Sequence, residues 1–374
     1  MVTIDEFALQ FSEEPGYLDF GRIGPLASIV VEEEQAFVQL LRTARFGSLD
    51  SFREQDVRVR RAVAAVTGFR EDQIVFQPNT SLGLMHAMFG VAGGVLLSAE
   101  EFPSAAFATV RASDALGTLQ PFWLETDYGR ITPGTIKDQL SPDIAAVALS
   151  LVDFRTGFLA DLEGIRQVIG DRLLIVDAIQ GFGVADVDYR FADVVVSGGQ
   201  KWVRAGWGTG FLAMSDRAVE RIAPVLSGFN GTDAGPTPVG SVPQPSRGAR
   251  AYQVSNPSPI AQARFSAALE QIADVGLRAI SERVARNVES VIALADEFGI
   301  PVTSPRDVRE RAGIVVLQPA ADQLTALVAS LHNHAVTVTA RDTNVRVSVH
   351  VSTTEETLAM VRASFQSFAS ATSL

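Results

Sequence analysis

Lysine is scarce in this 374-residue chain. Of 31 basic residues only Lys137 and Lys201 are lysines, and the rest are arginines. Arginine therefore serves ordinary surface charge, and each lysine raises the question of what a guanidinium could not do in its place. Lys137 lies in TPGTIKDQLSP, a polar stretch expected on the surface. Lys201 follows an apolar run in VVVSGGQKWVRAGWGTGFL. Only an amine can condense with an aldehyde to form an imine. Asp177 closes LLIVD one strand earlier. A carboxylate there can pair with the protonated nitrogen of a pyridine ring and keep that ring an electron acceptor. The alternative for Asp177 is a helix cap or a loop aspartate.

The elements around these residues alternate. Strands are expected at 73–79, 94–100, 119–125, 144–152, 172–178, 192–198 and 209–215, and helices at about 26–44, 53–67, 80–90, 103–114 and 161–170. The run IAAVALSLV is apolar without a break, as in a strand buried on both faces. Strands and helices alternating over this length predict an α/β sheet covered on both faces. Ligands of such sheets sit beyond the C-terminal strand ends, where Thr80, Ser81, Asp177, Ser197, Gln200 and Lys201 gather. A Gly-, Pro- and Ser-rich loop spans about 227–250 and is long for a connection. Helices at 257–277 and 279–298 follow, then GIVVLQP, a helix near 320–332, AVTVTA, NVRVSVH and a last helix from about 354. These patterns predict a large domain over 16–250 and a smaller α+β domain over 251–374, joined by residues 1–15.

Composition excludes several chemistries. The net charge of −12 argues against a nucleic-acid partner. With no cysteine, the chain can form no disulfide, thiolate metal site or cysteine nucleophile. His332 and His334 lack any surrounding ligand pattern, so no metal is expected. The N-terminal stretch MVTIDEFALQFSEEPG is acidic and without an apolar core, unlike a signal peptide. Apolar runs such as AAVALSLV fall short of a membrane span. No membrane association and a cytoplasmic location are expected.

The segment VDAIQGFGVADVDYRFADVVVSGGQKWVRAGWGTGFLAMS resembles the cofactor core of class V aminotransferases, a branch of fold-type I pyridoxal-phosphate enzymes. That branch includes cysteine desulfurases, kynureninases and isopenicillin N epimerase-like proteins. PNTSLG, EFPS and VRVSVHVSTTEE extend the resemblance over almost the whole chain. It implies a fold-type I transferase, with a large doubly wound, mostly parallel mixed sheet and a smaller α+β domain. It also implies pyridoxal 5'-phosphate as cofactor, an amino acid substrate, and a homodimer with shared active sites.

Residue by residue, the resemblance implies that Lys201 carries the cofactor as a Schiff base and then moves protons. Asp177 pairs with the ring nitrogen, Gln180 bonds the ring 3'-oxygen, and Phe102 stacks on the ring. Thr80 and Ser81 hold the phosphate at a helix start, where free N–H groups favour an anion. Ser197 and Gln200 accompany them; Gln200 stands where histidine is commoner and brings no titratable proton. Ser255 and Asn256, in YQVSNPSPI, reach the neighbouring subunit's phosphate. Arg346 clamps the substrate α-carboxylate.

Each position has a plainer alternative. Phe102 could be one core phenylalanine of 22. Thr80 and Ser81 could be helix caps, and Gln180 and Gln200 turn residues. The role of Ser197 could belong to Gly198. Arg346 could lie on a solvated strand face. Arg22, in YLDFGRIGP where the family usually has a small residue, could meet a second carboxylate at the substrate's distal end or form a surface or subunit salt bridge.

The expected chemistry begins with Cα deprotonation by Lys201. Transamination is the first reading. A β-eliminating C–S lyase or kynureninase-like hydrolase is the second, an amino acid epimerase the third, and a non-catalytic cofactor-binding protein the alternative from another class. A desulfurase using an enzyme persulfide is excluded by the missing cysteine.

Overall fold

Strands form where β-branched and aliphatic residues run together, and the pleat sends alternate residues to opposite faces. The computed structural model describes residues 2–234 and 240–372. Seven strands make the main sheet: β1 (Ile74–Phe76), β2 (Gly93–Leu97), β3 (Leu119–Trp123), β4 (Ile144–Ser150), β5 (Leu173–Asp177), β6 (Val194–Gly198) and β7 (Gly210–Met214). Their spatial order is β1-β7-β6-β5-β4-β2-β3. The five from β3 to β6 pair in parallel, and β7 runs antiparallel to both β6 and β1. This is the mostly parallel mixed sheet that the sequence predicts.

Alternation decides what covers each face. Leu174, Val176 and Val195 join one core cluster, which also takes Phe265 and Leu269 of the helix Pro259–Val275. Leu173, Ile175, Val194 and Val196 join the other, against Leu84, Ala87 and Met88 of the helix Thr80–Gly90. That second helix lies very close to the sheet. A Cβ at Gly83 would stand 2.1 Å from Val196 Cγ1, so only glycine lets the two backbones approach this far. The approach fixes Thr80 at the C-terminal strand ends.

A second sheet has the order β8-β10-β9, all antiparallel, from β8 (Ile314–Leu317), β9 (Thr339–Ala340) and β10 (Val345–Ser348). Residues 17–21 lie alongside it, with Tyr17 bridged to Thr337 and Asp19 to Ser348. Both faces of β10 are thereby buried, so Arg346 is not on a solvated strand face. The expected strand AVTVTA shrinks to Thr339–Ala340. The polar segment around Lys137 contains an unexpected helix, Pro133–Gln139, capped by Thr132 Oγ1, which accepts from Thr135 N, with proline in its first turn. Lys137 itself is exposed as expected. The loop expected over 227–250 holds two short turns, Phe229–Gly231 and Ala249–Tyr252, and falls partly on residues 235–239, outside the described residues.

Candidate functional site

Asp177 is the last residue of β5 and is buried at the C-terminal edge of the sheet. One carboxylate oxygen accepts from Ile179 N at 3.0 Å. Burial raises its pKa to about 6, while the Ile179 N–H and the charge of Lys201 act the other way.

Lys201 leaves β6 in a loop held tightly by backbone bonds. Gly199 N donates to Thr209 O (2.9 Å), Ala205 N to Gly199 O (2.8 Å) and Gly24 N to Gln200 O (2.9 Å). Arg204 closes the turn at φ +61, a left-handed conformation unusual for a side-chain-bearing residue. Burial lowers the Lys201 pKa to about 8; the charge of Asp177 opposes this and that of Arg346 adds to it. The Lys201 Nζ lies 5.6 Å from the centre of the Phe102 ring. Phe102 is 40% exposed, so it keeps an open apolar face instead of filling the core. It meets Phe154 edge-on at 5.4 Å.

Gln180 is buried beside the lysine turn. Its Nε2 donates to Gly21 O at 2.9 Å, and its Oε1 accepts from Trp202 Nε1 at 3.0 Å. One amide N–H stays available. Thr80 heads its helix, capped by Asn79, whose Oδ1 accepts from Leu82 N at 2.9 Å. The Thr80 hydroxyl is buried without a hydrogen-bond partner. Ser81 and Ser104 share a hydrogen bond of 2.8 Å on the exposed side. The Gln200 Oε1 lies against Gly198, where a side chain would meet it at 2.3 Å.

Ser197 is not brought to this group. By the pleat of β6 it shares the face of Val195, opposite the helix that Thr80 heads, and its hydroxyl donates to Gly198 O at 3.2 Å. Ser255 and Asn256 form no hydrogen bond with Lys201 among the described residues. Asn256 accepts from Asn230 Nδ2 at 3.1 Å and lines a cavity with Arg53, Asp72 and Arg250.

Arg346 is buried on β10. It donates to Phe154 O (3.3 Å) and Thr339 Oγ1 (3.0 Å), and lies 3.5 Å from Asp19. Its Nε and the neighbouring Ser348 Oγ have no hydrogen-bond partner. Burial, then the nearby Arg341, draw its pKa down to about 10. Arg22 is exposed and forms no salt bridge among the described residues, but its charge acts on Arg346.

Two residues escaped the sequence reading. Glu101 is buried beside Asp177. It accepts from Ser150 N at 2.9 Å and pairs closely with Ser150 Oγ. Burial raises its pKa to about 7, partly opposed by the Ser150 bonds and reinforced by Asp153 and Asp177. Its signal was a carboxylate directly before Phe102 in EFPS. The other is Arg341, which donates to Phe154 O at 3.0 Å and so meets Arg346 on one carbonyl. The sequence shows it only as one arginine among many.

Residues 49–373 match the family model for aminotransferase class V. The chain belongs to the class V aminotransferase family. A kynureninase of Deinococcus radiodurans is 26% identical over 285 residues, covering 72% of this chain and 67% of that protein. A kynureninase of Xanthomonas oryzae pv. oryzae is 26% identical over 304 residues, covering 75% and 72%. Among solved structures, the cysteine desulfurase of Thermococcus onnurineus NA1 superposes with a TM-score of 0.81 at 20% identity, covering 92% of each chain. The cystine C–S lyase C-DES in complex with its product cysteine persulfide superposes with 0.82 at 18% identity, covering 94% and 97%. These likenesses agree with the fold-type I architecture described above.

As a class V enzyme the protein uses pyridoxal 5'-phosphate. The residues present fit that group. A buried amine stands near a buried carboxylate and an open aromatic face, and a hydroxyl without a partner marks a helix start. No helix among the described residues is long and apolar enough to cross a membrane.

Proposed function

We propose that the protein acts on an amino acid by removing its Cα proton and then cleaving the bond from Cβ to the side-chain substituent, as a β-eliminating lyase or a kynureninase-like hydrolase. This reverses the order expected from the sequence, where transamination came first. The relatives named above are kynureninases, a desulfurase and a C–S lyase. The observation that carries the catalytic reading is the Lys201 amine, buried 5.6 Å from the Phe102 ring centre, acted on by the charges of Asp177 and Arg346 and lowered to about 8. The absence of cysteine removes the enzyme-thiol route of a desulfurase and leaves elimination or hydrolysis.

In this reading, bound pyridoxal phosphate supplies an electron sink for the pair released when the Cα–H bond breaks. The chain's own residues do the rest. Lys201 Nζ is the amine that would hold the cofactor by its aldehyde; once displaced by the substrate's amine, the free Nζ would take the Cα proton, and its lowered pKa makes the neutral amine accessible near neutral pH. Asp177, as the carboxylate, would hold a proton on the ring nitrogen. Phe102 would pack against the ring, and Gln180 has a spare N–H for the ring oxygen. Thr80, Ser81 and the first turn of their helix receive the phosphate, with Gln200 alongside; Ser197 supports the turn from behind. Arg346 binds the α-carboxylate through its unpaired Nε edge. Ser255 and Asn256 reach the partner's phosphate in a homodimer. For a substrate with leaving group X on Cβ, elimination consumes one water and gives XH, pyruvate and ammonium.

A panel of amino acids incubated with the holoenzyme tests the reaction. Pyruvate and ammonium, or alanine from a kynurenine-type substrate, are the expected products, with the cofactor returned unchanged each turnover. Conversion of the cofactor to its amine form with release of the substrate's own keto acid would replace this reading by transamination.

A further inference from the structure

Arg341 brings a second guanidinium beside that of Arg346. Arg341 leaves β9 in a short turn, its N–H bonded to Asn344 O at 2.9 Å, and its guanidinium reaches the Phe154 carbonyl. It packs 5.0 Å from the Phe154 ring centre, and the Phe154 ring in turn meets Phe102. Arg341 and Arg346 donate to the same Phe154 carbonyl, at 3.0 and 3.3 Å. Two guanidiniums thus stand side by side within the span of one short side chain.

Their anionic partners are unequal. Arg346 has Asp19 at 3.5 Å, and Arg155 has Glu100 at 3.2 Å and Asp153 at 3.4 Å. Arg341 and Arg22 form no salt bridge among the described residues, although Arg341 is half-buried. Burial pushes the Arg341 pKa down; the charges of Asp153 and Asp19 oppose this from beyond ion-pair distance, and that of Arg155 adds to it.

We infer that Arg341, with the exposed Arg22 whose charge also acts on Arg346, forms a second anion subsite beside Arg346, and that the substrate is an amino acid whose side chain ends in an anionic group. The inference rests on Arg346 taking the α-carboxylate, as proposed above. It does not depend on which bond is then broken. Arg341 acts on specificity and touches the distal group of the substrate, not the reacting carbon.

The test is equilibrium binding to the holoenzyme, read by calorimetry and by the shift in cofactor absorbance, so that turnover is not needed. Succinate and glutarate are compared with butyrate and valerate. The dicarboxylates should bind about tenfold or more tightly, the ratio expected of one added charge-assisted contact. Arg341→Met should remove that advantage, and Arg341→Lys should keep part of it. Equal binding of mono- and dicarboxylates by the unaltered holoenzyme would overturn the inference, with no variant required. So would an Arg341→Met protein that binds both classes more weakly by the same factor. If the dicarboxylates win but no amino acid loses its β-substituent, the subsite stands and the proposed reaction falls.

Discussion

At the scale of single residues, the site depends on charges placed where water is scarce. Glu101 illustrates the consequence. Its pKa rises from the usual carboxylate range to about 7 because burial penalises the charged form. A carboxyl raised on folding contributes stability below its unfolded pKa, and that contribution is lost as pH climbs through the folded value. In the cofactor-free protein this residue alone should remove up to roughly 3 kcal/mol of stability between about pH 5 and pH 8, against the opposite contribution of the buried His86 and His350 below about pH 6.5. Glu101→Gln, which can still bond to Ser150, should flatten that slope in urea denaturation at the two pH values. An unchanged slope would mean that the carboxyl ionises without penalty. Lys201 and Asp177 were legible in the sequence because their chemistry is rare for their positions. Glu101 and Arg341 were not, since burial and a shared carbonyl are properties of the folded chain.

At the scale of elements, the helix Thr80–Gly90 places the hydroxyl of Thr80, and Gly83 sets its distance from β6. Alanine favours a helix over glycine by about 1 kcal/mol. Here the added methyl would lie 2.1 Å from Val196 Cγ1, a buried group with no room to yield. Overpacking of this kind costs about 1–3 kcal/mol, so the clash outweighs the propensity. Gly83→Ala should lower stability by about 1–2 kcal/mol and weaken cofactor retention, both measurable by thermal melts with and without pyridoxal phosphate. A variant more stable than the parent would show that the helix is free to move. The strands of the main sheet were legible from unbroken apolar runs, and the helices between them from their period. The helix at 133–139 was hidden because it has a single buried residue, Ile136, and gives no periodic signal. Strand β9 is shorter than AVTVTA suggests because valine and threonine favour extended backbone whether or not a partner strand is present.

At the scale of the molecule, distant parts of the chain converge on the lysine turn. The Arg204 guanidinium is buried, pairs with Glu13, donates to Ser352 Oγ at 3.1 Å, and holds Pro25 O. It packs 4.1 Å from the ring centre of Phe11. Residues near both ends of the chain are thus tied to the turn that carries Lys201, and neither tie could be read from spacing. The class V framework was legible because the motifs around Asp177 and Lys201 are local. The substrate was not, because Arg22, Arg341 and Arg346 come together only through the second sheet and the segment 17–25. All of this architecture bears on one amine. Borohydride reduction of the holoenzyme, followed by peptide mapping, measures it directly. The account predicts a phosphopyridoxyl group on the peptide containing Lys201 and none on that containing Lys137. A label at another site, or none in protein loaded with pyridoxal phosphate, would contradict it.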